Sequence, residues 1–108
     1  MKMETITKNN MLIVKPLEKR LDAKVAVEFK EDLAKFVKEG NKNILMNLEY
    51  VEFVDSSGLG AIVACLKNIG KDGDLKLCSL QPAVKSLVEL TRLHRVFQIY
   101  PCEADAIS

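Results

Sequence analysis

Two short runs near the start of the chain, residues 4 to 8 with Ile6 among polar residues and residues 11 to 17 opening on the apolar Met11-Leu12-Ile13-Val14, read as candidate strands. Asn9-Asn10 between them is a turn signal, because asparagine tolerates positive φ, so the runs should form a hairpin. Pro16 cannot donate to a ladder and belongs at a strand end or sheet edge. Ala26, Phe29, Leu33, Phe36 and Val37 then trace one helix face, with Asp22 as a plausible N-cap and Gly40 as the terminator. Residues 43 to 48 form a mostly apolar run, read as a strand, and Tyr50-Val51-Glu52-Phe53-Val54 leads onward from it. Leu59, Ile62, Val63, Leu66 and Ile69 return to helical spacing, which predicts a second helix from about Ser57 to Ile69, closed by Gly70-Lys71-Asp72-Gly73. Leu75 to Leu80 alternates, with one interruption, as a half-buried strand does. Gln81-Pro82 opens a third helix, since proline suits the first helical position, and Val84, Leu87, Val88 and Leu90 supply its apolar side. Val96 to Tyr100 reads as a final strand, and Glu103 onward as a tail or last helical turn.

The predicted order is β-β-α-β-α-β-α-β. It defines an α/β fold, a single-layer mixed β-sheet with α-helices packed on it, the opening hairpin antiparallel and the later crossovers parallel. In such sheets functional loops collect at the carboxyl ends of the parallel strands, and both Asp22 and Ser56 follow strands at that end. With 108 residues the chain is expected to form one domain, 1–108. No internal repeat or low-complexity linker divides it.

Composition narrows the function classes. An apolar fraction of 48% and a charged fraction of 29% are those of an ordinary globular protein. Lys and Arg number 16 against 15 Asp and Glu, a balance without the basic stripe that nucleic-acid binding requires. The first residues carry no long apolar run, so neither a secretory signal nor a membrane span is expected, and a cytoplasmic location follows. Cys65, Cys78 and Cys102 are odd in number and contain no CxxC pair; Cys65 and Cys78 lie in apolar patterns and are expected to be buried, reduced thiols. His94 is the only histidine and no Cys/His cluster surrounds it, which speaks against a metal site. Its place near the end of the third helix fits a cation favoured by the helix dipole, or ordinary surface.

The chemistry concentrates at Asp55-Ser56-Ser57-Gly58-Leu59-Gly60, where a strand-like run gives way to a helix. Asp, Ser and Ser are all residues that cap helix N-termini, so capping alone is one reading of the motif. A serine hydrolase would need a base held near its nucleophile, and nothing around His94 announces one. A nucleotide loop would need the third glycine of GxGxxG or a GK[ST], and both are missing. What the motif does offer is an accessible hydroxyl at a helix start, where a phosphate of about −1.5 to −2 charge could be accommodated by backbone N–H groups while altering what a partner meets.

This hexapeptide, preceded by Leu48-Glu49-Tyr50-Val51-Glu52-Phe53-Val54 and joined by Leu21-Asp22 upstream and Ser79-Leu80-Gln81-Pro82-Ala83-Val84 downstream, resembles the anti-sigma factor antagonist family, also called STAS domains. The resemblance implies a domain that, unmodified, binds an anti-sigma factor serine kinase and so releases sigma factor. It makes Ser56 the phosphoacceptor, with Asp22, Asp55, Ser57, Gly58, Leu59 and Gly60 as partner-binding positions; Asp22 is expected near the Ser56 hydroxyl or the kinase. ATP and Mg2+ would belong to the kinase, and a metal-dependent serine phosphatase would restore the free hydroxyl. This chain would then be no enzyme, carry no cofactor, bind neither nucleic acid nor membrane, and be a monomer when free. The other reading within the family is a scaffold or regulatory subunit of a stress-sensing or transporter complex. One departure is Lys19, where many relatives have the glycine of Gly-x-Leu-Asp; lysine takes glycine-only backbone angles at a cost.

Overall fold

The computed structural model describes residues 1–107. In chain order its elements are β1 (Met3–Lys8), β2 (Met11–Pro16), β3 (Arg20–Leu21), α1 (Ala23–Lys38), β4 (Asn43–Asn47), β5 (Phe53–Val54), α2 (Ser56–Ile69), β6 (Asp74–Cys78), α3 (Pro82–Leu90), β7 (Gln98–Tyr100) and α4 (Glu103–Ile107). Short 3₁₀ turns at Gly70–Asp72 and Leu93–Arg95 complete the path. Strands β1-β2-β4-β6-β7 form the main sheet, antiparallel between β1 and β2 and parallel across the rest. The fold class and the hairpin therefore follow the pattern of the sequence; Asn9 and Asn10 both adopt positive φ, 51° and 63°.

Alternation along the strands sends their side chains to two unequal faces. Leu12, Val14, Ile44, Met46, Leu75 and Leu77 meet Phe29 and Leu33 of α1, Ile62 of α2 and Val84 of α3 in the principal core. On the opposite face Ile13, Leu45 and Cys78 are covered by Ala106 of the short α4. Asn47 is buried there, and its side chain is fully employed. Its Nδ2 donates to Glu103 at 2.5 Å while its Oδ1 accepts the Glu49 N–H at 2.9 Å, fastening α4 to the sheet. A buried amide without such partners would cost about 1–3 kcal/mol.

Four local expectations change. Residues 20–21 and 53–54 pair as a second, two-stranded parallel ribbon, too short to leave an alternating pattern. The strand expected to run to Leu80 stops at Cys78, because Ser79 turns to a φ of 59°. Val96 and Phe97 lie outside β7: their N–H groups both reach back to the Leu93 carbonyl at 2.9 Å, closing a turn that follows a left-handed Arg92. His94 sits on that turn, exposed, beyond the end of α3. Leu90, assigned to the apolar side of α3, is 82% exposed, since that helix buries only Val84 and Val88.

Candidate functional site

The small ribbon builds the site. Arg20 pairs with Phe53 and Leu21 with Val54 in parallel register, and Leu21 and Val54 are both buried. The next residue of each strand, Asp22 and Asp55, therefore emerges side by side with the other, and each caps a helix. Asp22 accepts the Lys24 N–H at 3.1 Å at the start of α1. Asp55 accepts two, from Ser57 at 2.9 Å and Gly58 at 3.1 Å, at the start of α2. The Leu21 carbonyl also takes the Asp55 N–H at 3.2 Å, tying one cap to the other strand.

Ser56 is the first residue of α2, and its side chain and that of Ser57 are exposed. Among the described residues neither hydroxyl makes a hydrogen bond. The two glycines that follow do different work. Gly58 is buried against the backbone of Leu21, so close that a Cβ would collide with the Leu21 carbonyl; Gly60 has open space where a Cβ would stand. Gly58 thus seats α2 on the ribbon, a packing role, and Gly60 keeps the helix surface low. Leu59 is mostly buried in the principal core and shows only an edge outward.

Two shallow grooves meet at Ser56. One runs between α1 and α2 past Ala26, Val27, Lys30, Gly60 and Ala61. The other crosses α2 past Leu59, Val63, Ala64 and Lys67 to Thr91 and Leu93. Lys30 lines both, and Val27 is 68% exposed beside it. These positions escaped the sequence reading. Val27 and Lys30 lie off the buried stripe of α1, and an exposed valine among helix polar positions was the available signal. Arg20 stacks over the Phe53 ring at 4.4 Å and sits 3.7 Å from the Asp22 carboxylate. Asp22 spends its hydrogen bond on its own helix and, among the described residues, makes none to Ser56.

No described group of histidine, cysteine and carboxylates is arranged to hold a metal ion. No helix among the described residues is long and apolar enough to cross a membrane. Cys65 and Cys78 are buried, as expected from their patterns, and burial pushes both thiols up to about 11. Cys102 is exposed.

Two capped helix starts carried side by side by the parallel ribbon, with an exposed serine hydroxyl where two grooves meet, make up the site. A model of the STAS domain matches residues 2–106, and the chain belongs to that family. It is similar to the anti-sigma F factor antagonist of Paenibacillus polymyxa, 34% identical over 62% of this chain and 58% of that protein, so the match spans little more than half the relative's length. The anti-sigma-B factor antagonist of Staphylococcus aureus (strain NCTC 8325 / PS 47) is 31% identical over 89% of both chains. A crystal structure from Thermotoga maritima superposes with a TM-score of 0.90 at 30% identity, covering 97% of this chain and 91% of that one. The anti-sigma factor antagonist SpoIIAA of Bacillus shares the fold in its unphosphorylated form, with a TM-score of 0.83 at 18% identity over 98% and 93% of the two chains. In its phosphorylated form the TM-score is 0.75 at 17% identity, over 98% and 96%.

Proposed function

We propose that this protein is an anti-sigma factor antagonist controlled at Ser56. Unmodified, it binds an anti-sigma factor that is also a serine kinase, and sigma factor is released. The kinase, which holds ATP and Mg2+, transfers the γ-phosphoryl group to Ser56 Oγ: the new P–O bond forms as the bond to ADP breaks, and the hydroxyl proton leaves to a base of the kinase. A metal-dependent serine phosphatase reverses the modification. The chain serves as substrate and ligand rather than enzyme, and works in the cytoplasm. Curated relatives that carry the antagonist name support the class.

The observation that carries the switch is the place of Ser56: exposed, first in α2, at the meeting of two grooves and directly after Asp55. Asp55 already holds the Ser57 and Gly58 N–H groups, so a phosphate on Ser56 has to share them with a carboxylate. The dianion is thereby pushed outward, toward whatever lies on the grooves. A contact that buries it unpaired loses roughly 1–3 kcal/mol, about five- to 150-fold in affinity.

The test is a comparative pull-down from native lysate with wild type, Ser56→Ala and Ser56→Asp. A kinase-like ATPase retained by wild type and Ala and lost with Asp is the expected result. Identical retention by all three baits, with no kinase among the proteins held, overturns the switch and favours the scaffold reading.

A further inference from the structure

Strand β1 is an edge whose outer rim is bare. It runs six residues in unbroken register against β2, without proline or bulge, and residues 4–8 are all exposed, so no helix reaches across either face of them. Native edges of this length are commonly blunted, because unpaired N–H and C=O groups template further pairing. Lys8 and Met11 flank a two-residue turn and are partners, which makes them a hydrogen-bonded pair. By alternation Glu4, Ile6 and Lys8 direct their backbone groups toward β2, and Thr5 and Thr7 direct theirs outward. Ile6, opposite Ile13 on the α4 side of the sheet, is 53% exposed.

We propose that this rim pairs with β1 of a second copy, antiparallel about a twofold axis through Ile6. In that register Thr5 lies opposite Thr7 of the second copy, and the outward N–H and C=O groups of both satisfy one another. Ile6 meets its own counterpart in the close, non-hydrogen-bonded position, and Glu4 lies opposite Lys8 of the second copy on each side of it. Strand Glu4-Thr5-Ile6-Thr7-Lys8 is thus complementary to its own reversal in charge, in apolar content and in hydrogen-bond direction. A shift by one residue sets outward groups against inward ones. A shift by two in one direction brings Lys2 against Lys8, and in the other it sets Lys8 against Ile6 and Glu4 against Asn10 of the turn, so the Glu4–Lys8 complementarity is lost either way. No β1 residue lines either groove at Ser56, so the pair presents two open switch sites. An interface of one strand pair falls below about 1,200 Å2 and is weak, a dimer of the concentrated chain rather than the monomer expected from the sequence.

Sedimentation velocity over a concentration series tests this, with circular dichroism confirming that each variant is folded. Wild type is expected to dimerise reversibly. Glu4→Lys and Lys8→Glu, which each set like charges opposite, are expected to weaken the dimer on the order of tenfold. An equimolar mixture of the two variants restores it, because Lys then faces Glu at both ends. A wild-type chain that stays monomeric up to about 1 mM, or a dimer indifferent to both substitutions, overturns the proposal.

Discussion

Gly58 and the carbonyl of Leu21 are in such close contact that the second residue of the β3 ribbon leaves no room for a side chain on the third residue of α2. The obstacle is backbone, which cannot swing aside. That contact holds the Ser56 turn against the Asp22 turn, and it separates two glycines that look alike in the sequence.

Gly58→Ala is therefore expected to cost about 1–3 kcal/mol, seen in chemical denaturation as a lower midpoint. Gly60→Ala, with open space at its Cβ, is expected to raise stability by up to about 1 kcal/mol through helix propensity. Because Gly60 lines both grooves at Ser56, the same variant should bind the proposed partner kinase more weakly. Equal stability changes in the two variants would contradict the assignment.

Removing the caps should give unequal losses. Asp55→Ala frees two N–H groups and is expected to cost about 1–2 kcal/mol, whereas Asp22→Ala frees one and costs about 0.5–1 kcal/mol. Thermal unfolding of both variants beside Asp55→Asn, which retains an acceptor, measures the difference.

Thiol chemistry should single out one cysteine. With Cys65 and Cys78 buried and their thiols pushed up to about 11 by burial, an aromatic disulfide reagent at pH 8 is expected to label only Cys102 rapidly in the native chain. All three should react once the chain is unfolded. Rapid labelling of Cys78 in the native state would show that the sheet face under α4 opens readily, and of Cys65 that α2 lifts from the principal core.

The Lys15–Glu49 pair, 2.8 Å apart, sets a small pH dependence. The hydrogen bond from Lys15 lowers the Glu49 carboxyl below its ordinary value, and the same bond raises Lys15 above its own. Stability from Glu49 is present above the ordinary glutamate value and is lost as pH falls through the lowered one. Stability from Lys15 is present below the ordinary lysine value and lost as pH rises through the raised one. Both groups are partly exposed, so solvent screening keeps the whole effect to about 0.5 kcal/mol. Glu49→Gln should remove it from both ends of a stability profile taken by denaturant titration across pH.

Local order was legible in the sequence because it rests on neighbours along the chain. The hairpin follows from Asn9-Asn10, the start of α3 from Gln81-Pro82, and the helix faces from the spacing of Phe29 and Leu33 or Ile62 and Ile69. The motif DSSGLG announced a capped helix start with exposed serines, and Asp55, Ser56 and Ser57 stand that way. Tertiary structure alone decided what those residues face. Two-residue strands are too short for any period, so the pairing of Leu21 with Val54, which sets Asp22 beside Asp55, was invisible until the chain closed on itself. The same closure turned Gly58 inward and left Gly60 in the open, spent the Asp22 carboxylate on its own helix, and brought Lys30 from a different helix to the rim of Ser56. Spacing records which face of an element is apolar; only packing determines which other element meets that face, and at what distance.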